Sequence, residues 1–201
     1  MISIVMASYL GAYKNAASNR TEKLKRSIAS VLRQSYQDWE LIIVADGCEE
    51  TSKIAAGILD ERVSGYHIPK QKMWSGVPRN IGIEKAKGDY IIYLDNDDIF
   101  GPNHLKNIAA GIEKTPGFDW YMFNDMIPDG KEPKQFIERR AELRRFQCGT
   151  SNIAHRNVAI WNIEDDYLHD WNFIIKLKKF RMARIEGGQY LVCHIPKKFD
   201  L

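Results

Sequence analysis

The sequence predicts an α/β domain built on a mostly parallel sheet. Three observations carry that prediction. Short, continuously apolar segments ("ISIVMAS", "ELIIVAD", "YIIYL") alternate with stretches of helical periodicity, as expected for strands buried on both faces. The chain has 201 residues, 44% hydrophobic and 27% charged, which is enough for one sizeable core and fits a single domain over residues 1–201. Each of the three apolar segments also ends in groups able to touch a ligand: Ser8-Tyr9, Asp46-Gly47 and Asp95-Asn96-Asp97. Open parallel sheets bind ligands at that place, beyond the carboxyl ends of their strands.

The elements follow in order. Ile2 to Ser8 is apolar and β-branched, a buried strand. Asn19 and Glu22 form a capping-box pattern ahead of Leu24, Ile28, Val31 and Leu32, which recur on one helical face. Gln34 to Trp39 is a polar connection, and "ELIIVADG" is the second strand. Ser52 to Leu59 reads as a helix with Ile54, Ala55, Ile58 and Leu59 inward. "VSGYHIP" is a shorter strand that Pro69 stops. Pro78 stands near the start of the next helix, where its missing N–H is tolerated, and Gly88 follows that helix as a stop. Tyr90 to Leu94 is a strand. Pro102 opens a helix with Leu105, Ile108, Ala109 and Ile112 inward. "FDWYMFND" is a strand candidate, Lys134 to Arg145 reads as a helix, and Asn152 to His155 as a strand. A helix over Asp170 to Lys178 and a strand over Gln189 to Ile195 finish the chain.

Charge and composition narrow the function classes. A formal net charge of +3 implies no strong field toward nucleic acid or membrane. Lys and Arg do concentrate at Lys131 to Arg145 and Lys176 to Arg184. Each cluster suits either a solvated helix face or contact with a phosphate-bearing ligand or an anionic membrane surface. Cys48, Cys148 and Cys193 lack metal-type spacing, and an odd number without a signal peptide suggests reduced thiols in the cytoplasm. The N-terminal "MISIVMASY" lacks a basic leader, and no apolar run reaches the ~18 residues of a membrane span. A soluble chain, with peripheral membrane contact left open, is the expectation.

The chemistry begins at Asp95-x-Asp97. Carboxylates crowded at a strand end repel one another unless a cation joins them. Oxygen ligands suit Mg²⁺ or Mn²⁺, which take one or two protein carboxylates plus substrate phosphates. The same residues also suit a turn whose acids cap the following helix, and Asp98 is read as serving that turn. Asp46 before Gly47 is either a turn residue or an acceptor for a ligand N–H such as that of a nucleobase, with Tyr9 as a stacking face beside it. Arg79, in "GVPRNIG", is either a surface residue or one that faces an anion together with the helix N-terminus.

In this order the pieces resemble the family 2 glycosyltransferases of the GT-A fold. The resemblance covers nearly the whole chain and rests on "ISIVMASY", "SIASVLRQSYQDWELIIVADG", "GVPRNIGIEKAKGDYIIYLDNDDIFGPNHL" and "HDWNFIIKL". It implies a Rossmann-like three-layer α/β/α sandwich whose N-terminal half binds a nucleotide sugar and whose C-terminal half receives the acceptor. By that resemblance Tyr9 and Asp46, with Ala7 on the same strand end, look like the uracil site of a UDP-sugar. Arg79 looks like the Arg near base and diphosphate. Asp97 is implied as the direct ligand of Mn²⁺ or Mg²⁺, with Asp95 and Asn96 at the sugar or ribose and Asp95 also at the metal. Gly149, in "CGTSN", matches a loop near sugar and acceptor. Asp170 looks like the catalytic base, since Trp171, Phe173 and Lys176 follow it. His194 matches a C-terminal His that helps hold metal or diphosphate. The implied reaction is metal-dependent transfer from a UDP-sugar, UDP-glucose-like, to an acceptor hydroxyl with inversion. The acceptor is a carbohydrate, a lipid-linked molecule or a protein.

Three departures accompany the likeness. Ala45 stands where the family usually has a second acid before Asp46. His169 replaces the usual acid before the base, which leaves "EDD", Glu164 to Asp166, as a competing location for the base. Leu10 to Ser18 is long for a βα loop, where about 2–6 residues are usual, so Tyr13 and Lys14 are candidates to touch donor or acceptor. A catalytically inactive nucleotide-sugar-binding module is the alternative from another class. A sugar-nucleotide pyrophosphorylase would want a Gly-rich phosphate loop after the first strand, which "ASYLGAYKN" is not, and no G-x-G-x-x-G supports a dinucleotide oxidoreductase. The chain ends soon after His194, which leads to the expectation of a minimal enzyme or the catalytic domain of a longer polypeptide.

Overall fold

A computed structural model describes residues 1–12, 19–72, 74–132, 135–163 and 168–193. The first half alternates as expected: β1 (Ile2–Ser8), α1 (Arg20–Leu32), β2 (Trp39–Asp46), α2 (Glu49–Ala56), β3 (Val63–Ile68), α3 (Gly76–Lys85) and β4 (Tyr90–Tyr93). The second half is more broken. It runs β5 (Ile99–Phe100), α4 (His104–Lys114), β6 (Trp120–Met122), β7 (Asp125–Pro128), β8 (Phe136–Arg139), a short 3₁₀ turn Thr150–Asn152, β9 (Ile153–His155), α5 (His169–Leu177), β10 (Met182–Arg184) and β11 (Tyr190–Leu191). No helix among the described residues is long and apolar enough to cross a membrane.

The main sheet has seven strands in the order β10-β6-β9-β4-β1-β2-β3. Its strands run parallel except β9, which is antiparallel to both β4 and β6. The period-2 alternation of the buried strands divides the core between two faces. Ile4, Met6, Ile92 and Leu94 pack with Leu24, Ile28 and Val31 of α1 and Leu105 and Ile108 of α4. Val5, Ile91 and Tyr93 point the other way, to Ile83 of α3 and Phe173, Ile174 and Leu177 of α5. The result is the expected three-layer sandwich. Helix α3 lies close on the sheet: a Cβ on Gly82 would come within 2.3 Å of Val5 Cγ1, so only glycine allows this approach.

Several expectations need correcting. The helix expected over Lys134 to Arg145 does not form among its described residues, 135–145: residues 136–139 form β8, paired antiparallel with β7 so that Arg139 faces Asp125. Arg139 Nε donates to Asp125 Oδ1 at 2.8 Å, and this buried acid outweighs the helical propensity of the segment. Asn19 precedes α1, but its backbone (φ −101°, ψ 36°) lacks the extended cap geometry and its side chain caps nothing. Helix α2 starts one turn earlier than predicted, with Glu49 and Glu50 at its positive end, and ends at Gly57, leaving Leu59 fully exposed at 102%. Pro102 lies two residues ahead of α4, and the buried Gln34 side chain joins that start to α1 by donating to Gly101 O and accepting from Leu105 N.

A smaller sheet has the order β5-β11-β7-β8. Asp98 explains its attachment. Rather than serving the turn into α4, the Asp98 carboxylate is buried and accepts from the Tyr190 hydroxyl at 2.9 Å and the Cys193 N–H at 2.6 Å, tying the β11 segment to the end of β4. β11 itself is shorter than the predicted strand.

Candidate active site

Strands β4, β1 and β2 are neighbours, so their carboxyl ends lie side by side, and the side-chain groups there are coupled. Asn96 Nδ2 donates to Ser8 Oγ at 3.0 Å, and Ser8 Oγ lies 3.0 Å from Thr51 Oγ1 at the start of α2. Two groupings result, one at each side of β1.

The first is built on β2. Asp46 is buried and followed by Gly47 in the left-handed region (φ 63°), where the chain passes close against the Lys70 backbone. That approach brings Lys70 Nζ to Asp46 Oδ2 at 2.7 Å and the Gln71 N–H to Asp46 Oδ1 at 2.7 Å. The Lys70 ammonium also stands 4.4 Å from the centre of the Tyr9 ring. Tyr9 and Asp46 are thus together, as expected, with a cation between them that sequence reasoning did not find. Ala7, half-buried, shares the face of β1 that carries α3, since it alternates with Val5.

The second grouping is built on α3. Arg79 is not a surface residue: it is buried in the first turn of α3. Its Nη2 donates to Asp95 Oδ1 at 2.9 Å and its Nη1 to Asp170 Oδ1 at 2.8 Å. The guanidinium lies 4.4 Å from the Trp161 ring centre, and Trp161 stacks flat on Phe173 at 4.3 Å. Beneath them a buried relay is fully paired. His155 Nδ1 donates to the Arg156 carbonyl, so its Nε2 accepts the Tyr93 hydroxyl (2.8 Å), whose oxygen accepts Trp161 Nε1–H (3.0 Å). Burial, against the opposing pull of the Arg156 carbonyl, pushes the His155 pKa down to about 4, so the imidazole is neutral.

One guanidinium therefore joins two carboxylates, one 16 and the other 91 residues from it in sequence. Burial disfavours the Arg79 charge, but Asp170 and Asp95 outweigh it and its pKa is raised. Burial likewise opposes ionisation of Asp170, yet Arg79, then His169, then the Thr150 N–H hold its pKa below the usual carboxylate value. Asp170 opens on a cavity of ≈ 270 Å³ that Asp95, Gly149, Ser151, Phe146 and Trp171 also line. A Cβ on Gly149 would stand 3.5 Å from Asp170 Oδ2, so the loop expected near sugar and acceptor does meet the expected base. Arg139 and Cys148, neither predicted, line the same cavity, and burial pushes the Cys148 thiol up to about 12, too high for a thiolate.

Asp97 is half-buried, and its backbone carbonyl accepts from Arg26 Nη2 at 3.2 Å. Among the described residues no three His, Cys, Asp or Glu side chains gather as a metal cluster. Asp95, at 38% side-chain exposure, and Asp97 are hard oxygen donors at a strand end that opens to solvent, and this suits a divalent ion completed by nucleotide phosphates. His194, Tyr13, Lys14 and Glu164 to Asp166 lie outside the described residues.

Comparison with known proteins gives consistent results. The model for glycosyl transferase family 2 matches residues 16–181. The putative colanic acid biosynthesis glycosyl transferase WcaA of Escherichia coli K12 is 33% identical over 90% of this chain and 75% of its own. Other curated relatives are covered less: the chain spans 40% of a Haemophilus influenzae glycosyltransferase and 54% of AmsB from Erwinia amylovora. Among solved structures, S. aureus TarS in complex with UDP-GlcNAc superimposes with a TM-score of 0.70 at 14% identity, over 95% of this chain and 58% of that one. The mannosyltransferase PcManGT of Pyrobaculum calidifontis, in complex with GDP-Man and Mn²⁺, gives 0.65 at 10% identity, over 98% of this chain and 57% of that one.

Proposed function

The chain belongs to glycosyl transferase family 2 and has the GT-A fold, and on that premise we propose that it transfers a sugar from a UDP-sugar, UDP-glucose-like, to an acceptor hydroxyl with inversion. The observation that carries this reading is the convergence of Asp95 and Asp170 on the buried Arg79 at the mouth of the ≈ 270 Å³ cavity. Asp170 is ionised, partly exposed at 34%, and has one oxygen toward that cavity. These are the requirements of a general base.

The uracil lies against Tyr9 and bonds Asp46, sharing that carboxylate with Lys70 and Gln71. Ala7 and Asn96 line the same strand end, and the positive charge of Arg79 favours the diphosphate. The acceptor enters at Gly149, and Asp170 takes its hydroxyl proton. The oxygen lone pair then forms the new bond to the anomeric carbon, while the bond to the diphosphate oxygen breaks and its electron pair leaves with UDP. Attack opposite the leaving group inverts the centre. Asp97, with Asp95 and His194, would hold Mn²⁺ or Mg²⁺, which when bound offsets negative charge on the diphosphate.

The three cysteines are free and buried, in keeping with a cytoplasmic setting. The acceptor class, whether carbohydrate, lipid-linked or protein, and contact with a membrane surface through the basic segments belong to the same proposal. It is tested with a panel of nucleotide sugars incubated with Mn²⁺ or EDTA. The expected result is release of UDP from one UDP-sugar in Mn²⁺ only. Binding of a UDP-sugar without turnover in either condition would instead identify an inactive binding module.

A further inference from the structure

The two oxygens of the Asp170 carboxylate have different surroundings. Oδ1 accepts Arg79 Nη1 at 2.8 Å and lies in ion-pair contact, 3.1 Å from His169 Nε2, which also pairs with Ser75 Oγ at 3.5 Å; the Thr150 N–H reaches the same carboxylate. Oδ2 faces Gly149 and the cavity. His169 is held in an aromatic slot: its ring stacks on Trp74 at 5.3 Å and 22° and lies tilted on Trp161 at 5.8 Å, leaving the side chain only 14% exposed. Trp74 takes a φ of 31°, a left-handed conformation that residues other than glycine seldom adopt and that recurs where a ligand site holds a segment in place. The slot fixes which way the imidazole points.

We propose that His169 is a positioning residue for the transfer reaction: its Nε2, 3.1 Å from Asp170 Oδ1, confines that side of the carboxylate together with Arg79, so that Oδ2 is the oxygen presented to the acceptor hydroxyl. His169 does not touch the reacting atoms. Two contacts from different directions, the guanidinium bond from α3 and the imidazole edge at the start of α5, limit both the position and the rotation of the carboxylate, and orientation of this kind acts on the chemical step rather than on donor binding. An acid at position 169 would repel Asp170. The histidine instead puts a ring nitrogen, not a second carboxylate, beside the base.

This inference rests on the transfer reading, and its test separates the two. Wild type, His169→Phe and His169→Gln are compared for Mn²⁺-dependent hydrolysis of the UDP-sugar that the panel identifies, with donor affinity measured by calorimetry. Phenylalanine keeps a ring in the slot and deletes the Nε2 contact with Oδ1, whereas glutamine returns an amide nitrogen at the reach of Nε2. The expected result is a kcat lowered about tenfold or more in His169→Phe, with KM and donor affinity unchanged and most of the rate recovered in His169→Gln. In an Asp170→Asn background His169→Phe should add no further loss. An unchanged kcat in His169→Phe, a loss that appears in donor affinity instead, or equal loss in both variants would overturn the positioning role. Absence of turnover in the wild type would overturn the transfer reading and this inference with it.

Discussion

Arg79 holds two carboxylates at once, and much of the chemistry of the site depends on it. Because Arg79 lowers the Asp170 pKa, the folded protein binds a proton there less readily than the unfolded chain, whose Asp has a pKa near ~3.9. The associated stability is therefore present above that value and is lost as pH falls through the lower folded value. Activity that needs the Asp170 anion should have its acid limb below about pH 4. Replacing Arg79 with Gln removes the cation and moves that limb to higher pH. Profiles of UDP-sugar hydrolysis against pH check this, and an unmoved limb would show that Arg79 does not set the charge of Asp170. Asp170 was singled out in the sequence by resemblance, through Trp171, Phe173 and Lys176 after it, and the structure brings that residue to Arg79. Lys70 was not: it lies 24 residues from Asp46 in a polar stretch, and only the turn at Gly47 makes them neighbours.

At the scale of elements, the sites are carried by close contacts between particular secondary structures. Gly82 sets the distance of α3 from β1, and Arg79 lies one turn earlier on the same helix. Gly82→Ala should cost about 1–3 kcal/mol through overpacking against Val5 and should also weaken donor affinity, because the helix shifts. Chemical denaturation together with calorimetry reads both effects. Asp98→Ala should cost about 1–3 kcal/mol, since it leaves the Tyr190 hydroxyl and the Cys193 N–H without their acceptor. Wild-type stability of that variant would return Asp98 to the role of a turn residue. The elements of the first half were legible because their strands are continuously apolar and their helices strongly periodic. The second half was less so: β8 carries helix-compatible residues, and its conformation is decided by the pairing of Arg139 with Asp125 across a register that no local pattern specifies.

For the whole molecule, the seven-stranded sheet separates a core under α1 and α4 from one under α3 and α5. Both cores converge on the strand ends where the acids lie. The mostly parallel character followed from the buried strands, but the antiparallel β9 between β4 and β6 did not, because a strand of three residues carries no sign of direction. That insertion brings Gly149 to Asp170. If Asp97 ligates a divalent ion that the diphosphate shares, Asp97→Ala should abolish the Mn²⁺-dependent part of UDP affinity by calorimetry; unchanged affinity in Mn²⁺ would remove that role. The central claim, that Asp170 is the base of a sugar transfer, is tested most directly by Asp170→Asn. The account predicts UDP-sugar affinity within about threefold of wild type and turnover lowered at least about 100-fold. Retained turnover would contradict it and move the base to Glu164, Asp165 or Asp166.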